Sequence, residues 1–228
     1  MTEHRIGTQE EWQAERDELA KRRRELPWVA VEKDYRFETE SGTKTLAELF
    51  DGNSQLLVYH FMFGPPYTAG CPVCSSITDT LAAQVPHLNA KDTTLLLASR
   101  APLDKLLAFR ERMGWGIEWV SSEGSDFNRD LGFMHTAEEL KPFLESGSIP
   151  VTVEQNAEMC GTDAAGYVAE GPGLSAYALS DGTVYRTYVS TARGLEFAMA
   201  YYGLLDRTAK GRDESATDPL WVRWHDDY

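Results

Sequence analysis

Hydrophobic positions recur along the chain at two periods, and each period marks an element. Trp12, Leu19 and Leu26 fall seven apart in a charged run, the narrow stripe of a helix. Thr8 and Glu11 have capping-box spacing at its start, and Pro27 ends it. Over residues 29–37 apolar and polar side chains alternate, which predicts a half-buried strand. Residues 56–63 are apolar at nearly every position, the pattern of a strand covered on both faces. Val73, Ile77, Leu81 and Val85 recur at fours and predict a helix that opens at Cys71. A strand at 94–98, a helix after Pro102 and a strand at 117–120 follow. Asp181 and Gly182 join two alternating runs, 174–179 and 184–189, into a hairpin, and 195–205 reads as a closing helix. Residues 121–173 show no assignable period.

Strand, helix, strand, helix, strand implies crossovers around a parallel sheet core. The expected organisation is a helical arm at 1–27, a domain at 28–208 with an insertion at about 121–173, and a tail at 209–228. The arm packs on its own domain or forms a homodimer contact. The aromatic tail (Trp221, Trp224, His225, Tyr228) docks on the body or on a second subunit.

Charge narrows the partners. The chain has 228 residues with 22 Lys and Arg against 36 Asp and Glu, a formal net charge of −14. Nucleic acid and anionic membranes reward basic surfaces, so neither is expected as a partner. No apolar run reaches membrane-spanning length, and the first residues carry no apolar leader, so a cytoplasmic location is expected. Three cysteines make no disulfide framework. Cysteine chemistry is then more plausibly reactive than structural.

Cys71 and Cys74 stand three apart between a buried strand and a helix. A helix N-terminus presents unpaired N–H groups and the positive end of the macrodipole. A thiolate there is stabilised, and its pKa falls from about 8.5 to about 3.5–7.5. Pro72 suits the first helical position, with no N–H to leave unpaired. The expected mechanism has an exposed Cys71 attacking a substrate disulfide and an inward Cys74 resolving the mixed disulfide. The bland alternative is a pair of neighbouring core thiols.

Strand, Cys-x-x-Cys, helix, strand, helix, hairpin and helix together resemble the thioredoxin-like fold. The layout over 35–120 looks more like the peroxiredoxin and cytochrome-biogenesis thiol reductase branch than like thioredoxin itself. Four segments carry a narrower resemblance: residues 26–29, 59–65 running on to 70–75, 112–115 with 119–128, and 222–228. They are similar to a family of thioredoxin-like proteins of unknown function, commonly labelled predicted dithiol-disulfide oxidoreductases. The resemblance implies an α/β fold with a central mixed sheet flanked by helices. It implies a disulfide-bearing protein or small thiol as substrate and no bound cofactor, only a reductant. The family's cis-proline would stand just before the hairpin, where Pro172 comes slightly early; if Pro172 does not fill that place, Ser175 stands near the cysteines instead. Thr68 lies three before Cys71, as in the peroxiredoxin Thr-x-x-Cys, but Gly64 sits where that motif has proline and Pro65 is one off. A peroxide reductase and a non-catalytic scaffold are the further alternatives.

Other side chains have two readings each. His60 and Met62, two apart on a strand, could join Cys71 and Cys74 in a soft copper or zinc site, or fill the core below it. Arg100, at a strand end, could lower a cysteine pKa or pair with an acid. Tyr188 and Arg193 flank the hairpin's end and resemble part of the family's motif, or serve as a corner and a helix-entry salt bridge. Asp126 and Asn128 read first as turn residues. Cys160 is a distant resolving thiol or an inert loop residue, and the inert reading is preferred because nothing around it is basic.

Overall fold

A computed structural model describes residues 7–212 and 221–228. In chain order the elements are α1 (Gln9–Arg24), β1 (Val29–Ala30), β2 (Arg36–Thr39), β3 (Gly42–Thr45), a 3-10 turn (Glu48–Phe50) and β4 (Gln55–His60). Then come α2 (Pro72–Ala82), α3 (Val85–Asn89), β5 (Thr93–Ser99), α4 (Leu103–Arg112) and β6 (Glu118–Ser121). The insertion forms α5 (Phe127–Asp130), α6 (Ala137–Leu144), α7 (Val151–Met159) and α8 (Ala164–Val168). The chain closes with β7 (Gly173–Ser180), β8 (Thr183–Thr191), a 3-10 segment (Ala192–Ala198) and α9 (Ala200–Leu205).

One eight-stranded sheet runs in the order β1-β8-β7-β4-β5-β6-β2-β3. β4 pairs parallel with β5 and antiparallel with β7, so the sheet is mixed and β4 lies at its centre. The order β8-β7-β4-β5, with α2 crossing from β4 to β5, is the thioredoxin-like arrangement. Alternation along β4 and β5 divides the core between the two faces of the sheet. Tyr59, Leu95 and Leu97 pack on one face with Ile77 of α2 and Leu106 and Phe109 of α4. Leu56, Val58, Leu96 and Ala98 pack on the other with Phe37, Leu49, Phe50 and Phe127. The hairpin turn holds Asp181 at φ 49° and Gly182 at φ 76°, the two left-handed residues that suit the strand twist.

The single strand expected over 29–37 is two strands on opposite flanks of the sheet. β1 pairs with β8, whereas β2 lies between β6 and β3. Residues 31–35 cross between them, anchored where the Lys33 ammonium meets Asp126 at 2.7 Å and Asp130 at 2.8 Å. Alternation alone does not separate one strand from two short ones joined by a strap.

The apolar stripe of the arm is not buried. α1 buries no residue, and Trp12 and Leu19 are 56% and 65% exposed. Its stability is local: the Thr8–Glu11 capping box, acidic residues in the first turn and basic ones in the last. The tail segment 221–228 lies against the body, with Val222 and Trp224 buried. Among the described residues no helix is long and apolar enough to cross a membrane.

Candidate thiol site

Cys71 is the N-cap residue of α2, and Pro72 is its first helical residue. The chain leaves β4 through buried Phe61, Met62 and Phe63, then returns through the loop at 64–70. Two features fix the return. The Cys71 N–H donates to the Met62 carbonyl at 3.2 Å. At Gly70 a Cβ would come within 2.7 Å of the Phe61 ring and 2.8 Å of the Phe109 ring, so only glycine lets the backbone pass. Ser75 then donates its N–H and its hydroxyl to the Cys71 carbonyl, at 2.9 and 3.0 Å.

Donors surround the Cys71 sulfur. The Tyr167 hydroxyl lies 3.3 Å away. Cys160, Cys74 and the Cys74 backbone N–H also favour its thiolate form. Burial opposes ionisation of Cys71, but these donors outweigh it and hold the thiol well below its ordinary range. The neighbours move the other way. Burial, then the Cys71 charge, pushes the Cys74 thiol well up. Cys160 is raised by its bond to Cys71 and by burial. One proton acceptor thus sits among protonated donors, and Cys71 is the member of the trio most readily ionised. The buried Tyr59 hydroxyl has no hydrogen-bond partner among the described residues.

Exposure departs from expectation. Cys71 and Cys74 are each 1% exposed and Cys160 is 0% exposed. The insertion is the cause. Cys160, the C-cap of α7, and Tyr167 of α8 are carried over the end of α2. The loop before Cys71 clasps both. The Thr68 N–H donates to the Cys160 carbonyl at 2.8 Å, and the Tyr67 hydroxyl donates to the Tyr167 carbonyl at 2.8 Å. Cys160 therefore lies at a helix end in the same core as Cys71 rather than in an open loop.

The remaining candidates fall in several places. The Thr68 hydroxyl donates to the Cys160 carbonyl at 3.3 Å and so holds the insertion. Met62 packs in the core of the cysteine face. His60 does not join it: its ring stacks near Phe133 and Phe127, on the far face of the sheet. The metal set of Cys71, Cys74, His60 and Met62 is thus not assembled, because β4 ends at His60 and the alternation that would align the pair ends with it. Among the described residues no group of three or more His, Cys, Asp or Glu side chains is placed to hold a metal ion. Ser175 is opposite Val58 in the β4–β7 register, which turns it to that same far face, where it bonds His60 Nε2 at 2.8 Å. It does not stand beside the cysteines. Nor does a cis-proline: the described residues contain no cis peptide, and the Pro172 carbonyl accepts the Thr191 hydroxyl at 2.6 Å.

Arg100 pairs with Glu170, Nη1 to Oε1 at 2.6 Å. Burial raises Glu170 to about 7 even though Arg100 pulls it down. Tyr188 is opposite Ala176 on β8 and lines a surface groove with Trp28 and Leu88. Arg193 lies in the 3-10 segment Ala192–Ala198, and its side chain is outside the described residues. Asp126 precedes α5 and takes the Lys33 ammonium, while the Asn128 side chain accepts from the Ser122 hydroxyl at 2.9 Å.

The tail completes the wall. The Trp224 indole N–H donates to the Gly70 carbonyl at 2.8 Å, one residue before Cys71. Arg112 lies over the Trp224 ring at 4.6 Å and chelates Asp226.

Fold and site together define a thioredoxin-like protein with a buried cluster of three thiols. The chain belongs to the family described as bacterial protein of unknown function (DUF899), whose model matches residues 1–228. No curated protein matches it in sequence. Among solved structures it is similar to the peroxidoxin BcpB of Mycobacterium tuberculosis, at 11% identity and a TM-score of 0.49, over 76% of this chain and 92% of that one. A PrxQ variant from Xylella fastidiosa gives 11% identity and 0.48, over 78% and 94%. The bacterioferritin comigratory protein of Xanthomonas campestris gives 14% and 0.45, over 75% and 96%.

Proposed function

We propose that this protein is a thiol-disulfide oxidoreductase in which Cys71 is the attacking thiolate and Cys74 the resolving thiol. The observation that carries the reading is the Cys71 sulfur at the N-cap of α2 with the Tyr167 hydroxyl 3.3 Å away. Cys71 is surrounded by donors and lowered, while Cys74 is raised. Attack by Cys71 on a substrate sulfur releases one thiol and leaves a mixed disulfide. Attack by Cys74 on the Cys71 sulfur releases the second thiol and leaves an oxidised pair, which a reductant then restores. The substrate is a small disulfide rather than a folded protein, because Cys71 is 1% exposed behind Tyr167 and the tail. The test is reduction of 2-hydroxyethyl disulfide by the reduced protein and by Cys71→Ser. Equal rates for the two proteins reject the reading.

Burial also supports a second reading, the reduction of a small peroxide at the same sulfur. Cys71 thiolate attacks a peroxide oxygen, the O–O bond breaks and the departing oxygen takes a proton to leave as water or alcohol; Cys74 then attacks the sulfenic sulfur, closing a disulfide as water leaves. Stopped-flow oxidation by hydrogen peroxide against 2-hydroxyethyl disulfide separates the two by rate.

A further inference from the structure

Cys160 is the C-cap of α7, on a different element from the helix α2 that carries Cys74. It is fully buried, in the same core as the other two thiols. Its backbone is stapled to the loop that carries Cys71, since Thr68 gives both its N–H and its hydroxyl to the Cys160 carbonyl. Gly161 packs so closely on Thr68 that a Cβ there would overlap the threonine hydroxyl. From the same insertion, seven residues further on, the Tyr167 hydroxyl reaches the Cys71 sulfur at 3.3 Å, so the segment that carries Cys160 lies directly on Cys71. Cys71 therefore has two candidate resolving partners, one in its own helix and one delivered by the insertion.

We propose that Cys160 is a second resolving thiol, able to close a Cys71–Cys160 disulfide from a mixed disulfide formed at Cys71. This rests on the reading of Cys71 as the attacking sulfur. Cys71 thiolate first displaces one thiol from a small disulfide, whose sulfur–sulfur bond breaks; that thiolate takes up a proton. Cys160 then gives up its proton and attacks the Cys71 sulfur. The bond from Cys71 to the substrate sulfur breaks, and the leaving thiolate takes a proton. Two electrons pass from the two cysteines to the substrate, which leaves as two thiols. The product ties α7 covalently to the start of α2. The reaction class implied is the reduction of a low-molecular-weight disulfide, with two internal bridges sharing one attacking sulfur.

The experiment treats reduced wild type, Cys74→Ser, Cys160→Ser and the double variant with 2-hydroxyethyl disulfide, blocks free thiols and maps bridges by mass spectrometry. Trypsin leaves Cys71 and Cys74 in one peptide and Cys160 in another, because Lys91 and Arg100 lie between. The expected result is a cross-linked pair of peptides in Cys74→Ser, and a stable mercaptoethanol adduct on Cys71 in the double variant. An adduct on Cys71 with free Cys160 in Cys74→Ser overturns the proposal and leaves the Cys71 reading intact. No adduct on Cys71 in the double variant removes both. Circular dichroism reports folding, and Cys74→Ala replaces Cys74→Ser if the serine is not tolerated.

Discussion

The Tyr167 hydroxyl lies 3.3 Å from the Cys71 sulfur, although the two residues are 96 positions apart. Tyr67, stacked on Tyr167 at 6.2 Å, bonds its carbonyl and holds it there. A hydrogen bond to a charged group is worth about 1.5–3 kcal/mol, and a pKa unit about 1.4 kcal/mol. Tyr167→Phe should therefore raise the Cys71 pKa by about 1–2 units. Thiolate ultraviolet absorbance against pH measures this without needing access to the sulfur. Wild-type Cys71 should ionise below the ordinary thiol range; a midpoint in that range would refute the donor account.

Glu170 should make stability depend on pH. Its carboxyl is raised from 4.5 to about 7 by burial, which outweighs Arg100. The folded state thus holds the proton more tightly than the unfolded chain. The contribution is complete below about 4.5 and is lost as pH rises to about 7. Glu170→Gln should flatten that part of the melting-temperature profile. An unchanged slope between those limits would show that the carboxyl titrates normally.

His60 works in the opposite sense. Burial lowers its pKa from 6.5 to about 3, so the neutral ring is the folded form. Its stabilising contribution is complete above about 6.5 and is lost as pH falls toward 3. Nε2 has Ser175 as partner, and Nδ1 has none among the described residues. Ser175→Ala leaves both nitrogens unpaired in the core and should cost about 1–3 kcal/mol in denaturant unfolding. The Cys71 titration should not move, since the two sites lie on opposite faces; a shifted thiol midpoint would contradict the assignment of faces.

Trp224→Ala removes a buried ring and the bond to the Gly70 carbonyl. Large-to-small aromatic replacements in a core cost about 3–5 kcal/mol. The variant should melt earlier and label faster at Cys71 with a bulky maleimide. A lower melting temperature with unchanged labelling would mean that the tail stabilises the fold without shielding the sulfur.

Gly70→Ala tests the return loop itself. Its Cβ would meet two aromatic rings at 2.7–2.8 Å, so a core ring or the loop must shift. Destabilisation of about 1–3 kcal/mol is expected. A neutral effect in thermal unfolding would show that Phe61 and Phe109 yield freely.

The local cues of the site are legible in the sequence because they sit within one turn. Cys71, Pro72 and Cys74 announce a helix start, and α2 begins there. The hairpin and β4, β5 and β6 follow from short periodic runs. The rest is hidden because tertiary contact makes it. Cys160 and Tyr167 reach the sulfur from an insertion of short helices, none of which carries a long amphipathic period. Only the existence of a third cysteine hinted at them. The far-face position of Ser175 depends on register with β4, which no local pattern encodes.

All three sulfurs are sealed behind Tyr167, the clasp at Thr68 and the last few residues of the chain. Reactivity is then a mechanical quantity as much as a chemical one. On the proposed function, however nucleophilic the central sulfur is, turnover is capped by how often its enclosure breathes. Any change that loosens the enclosure trades selectivity for speed.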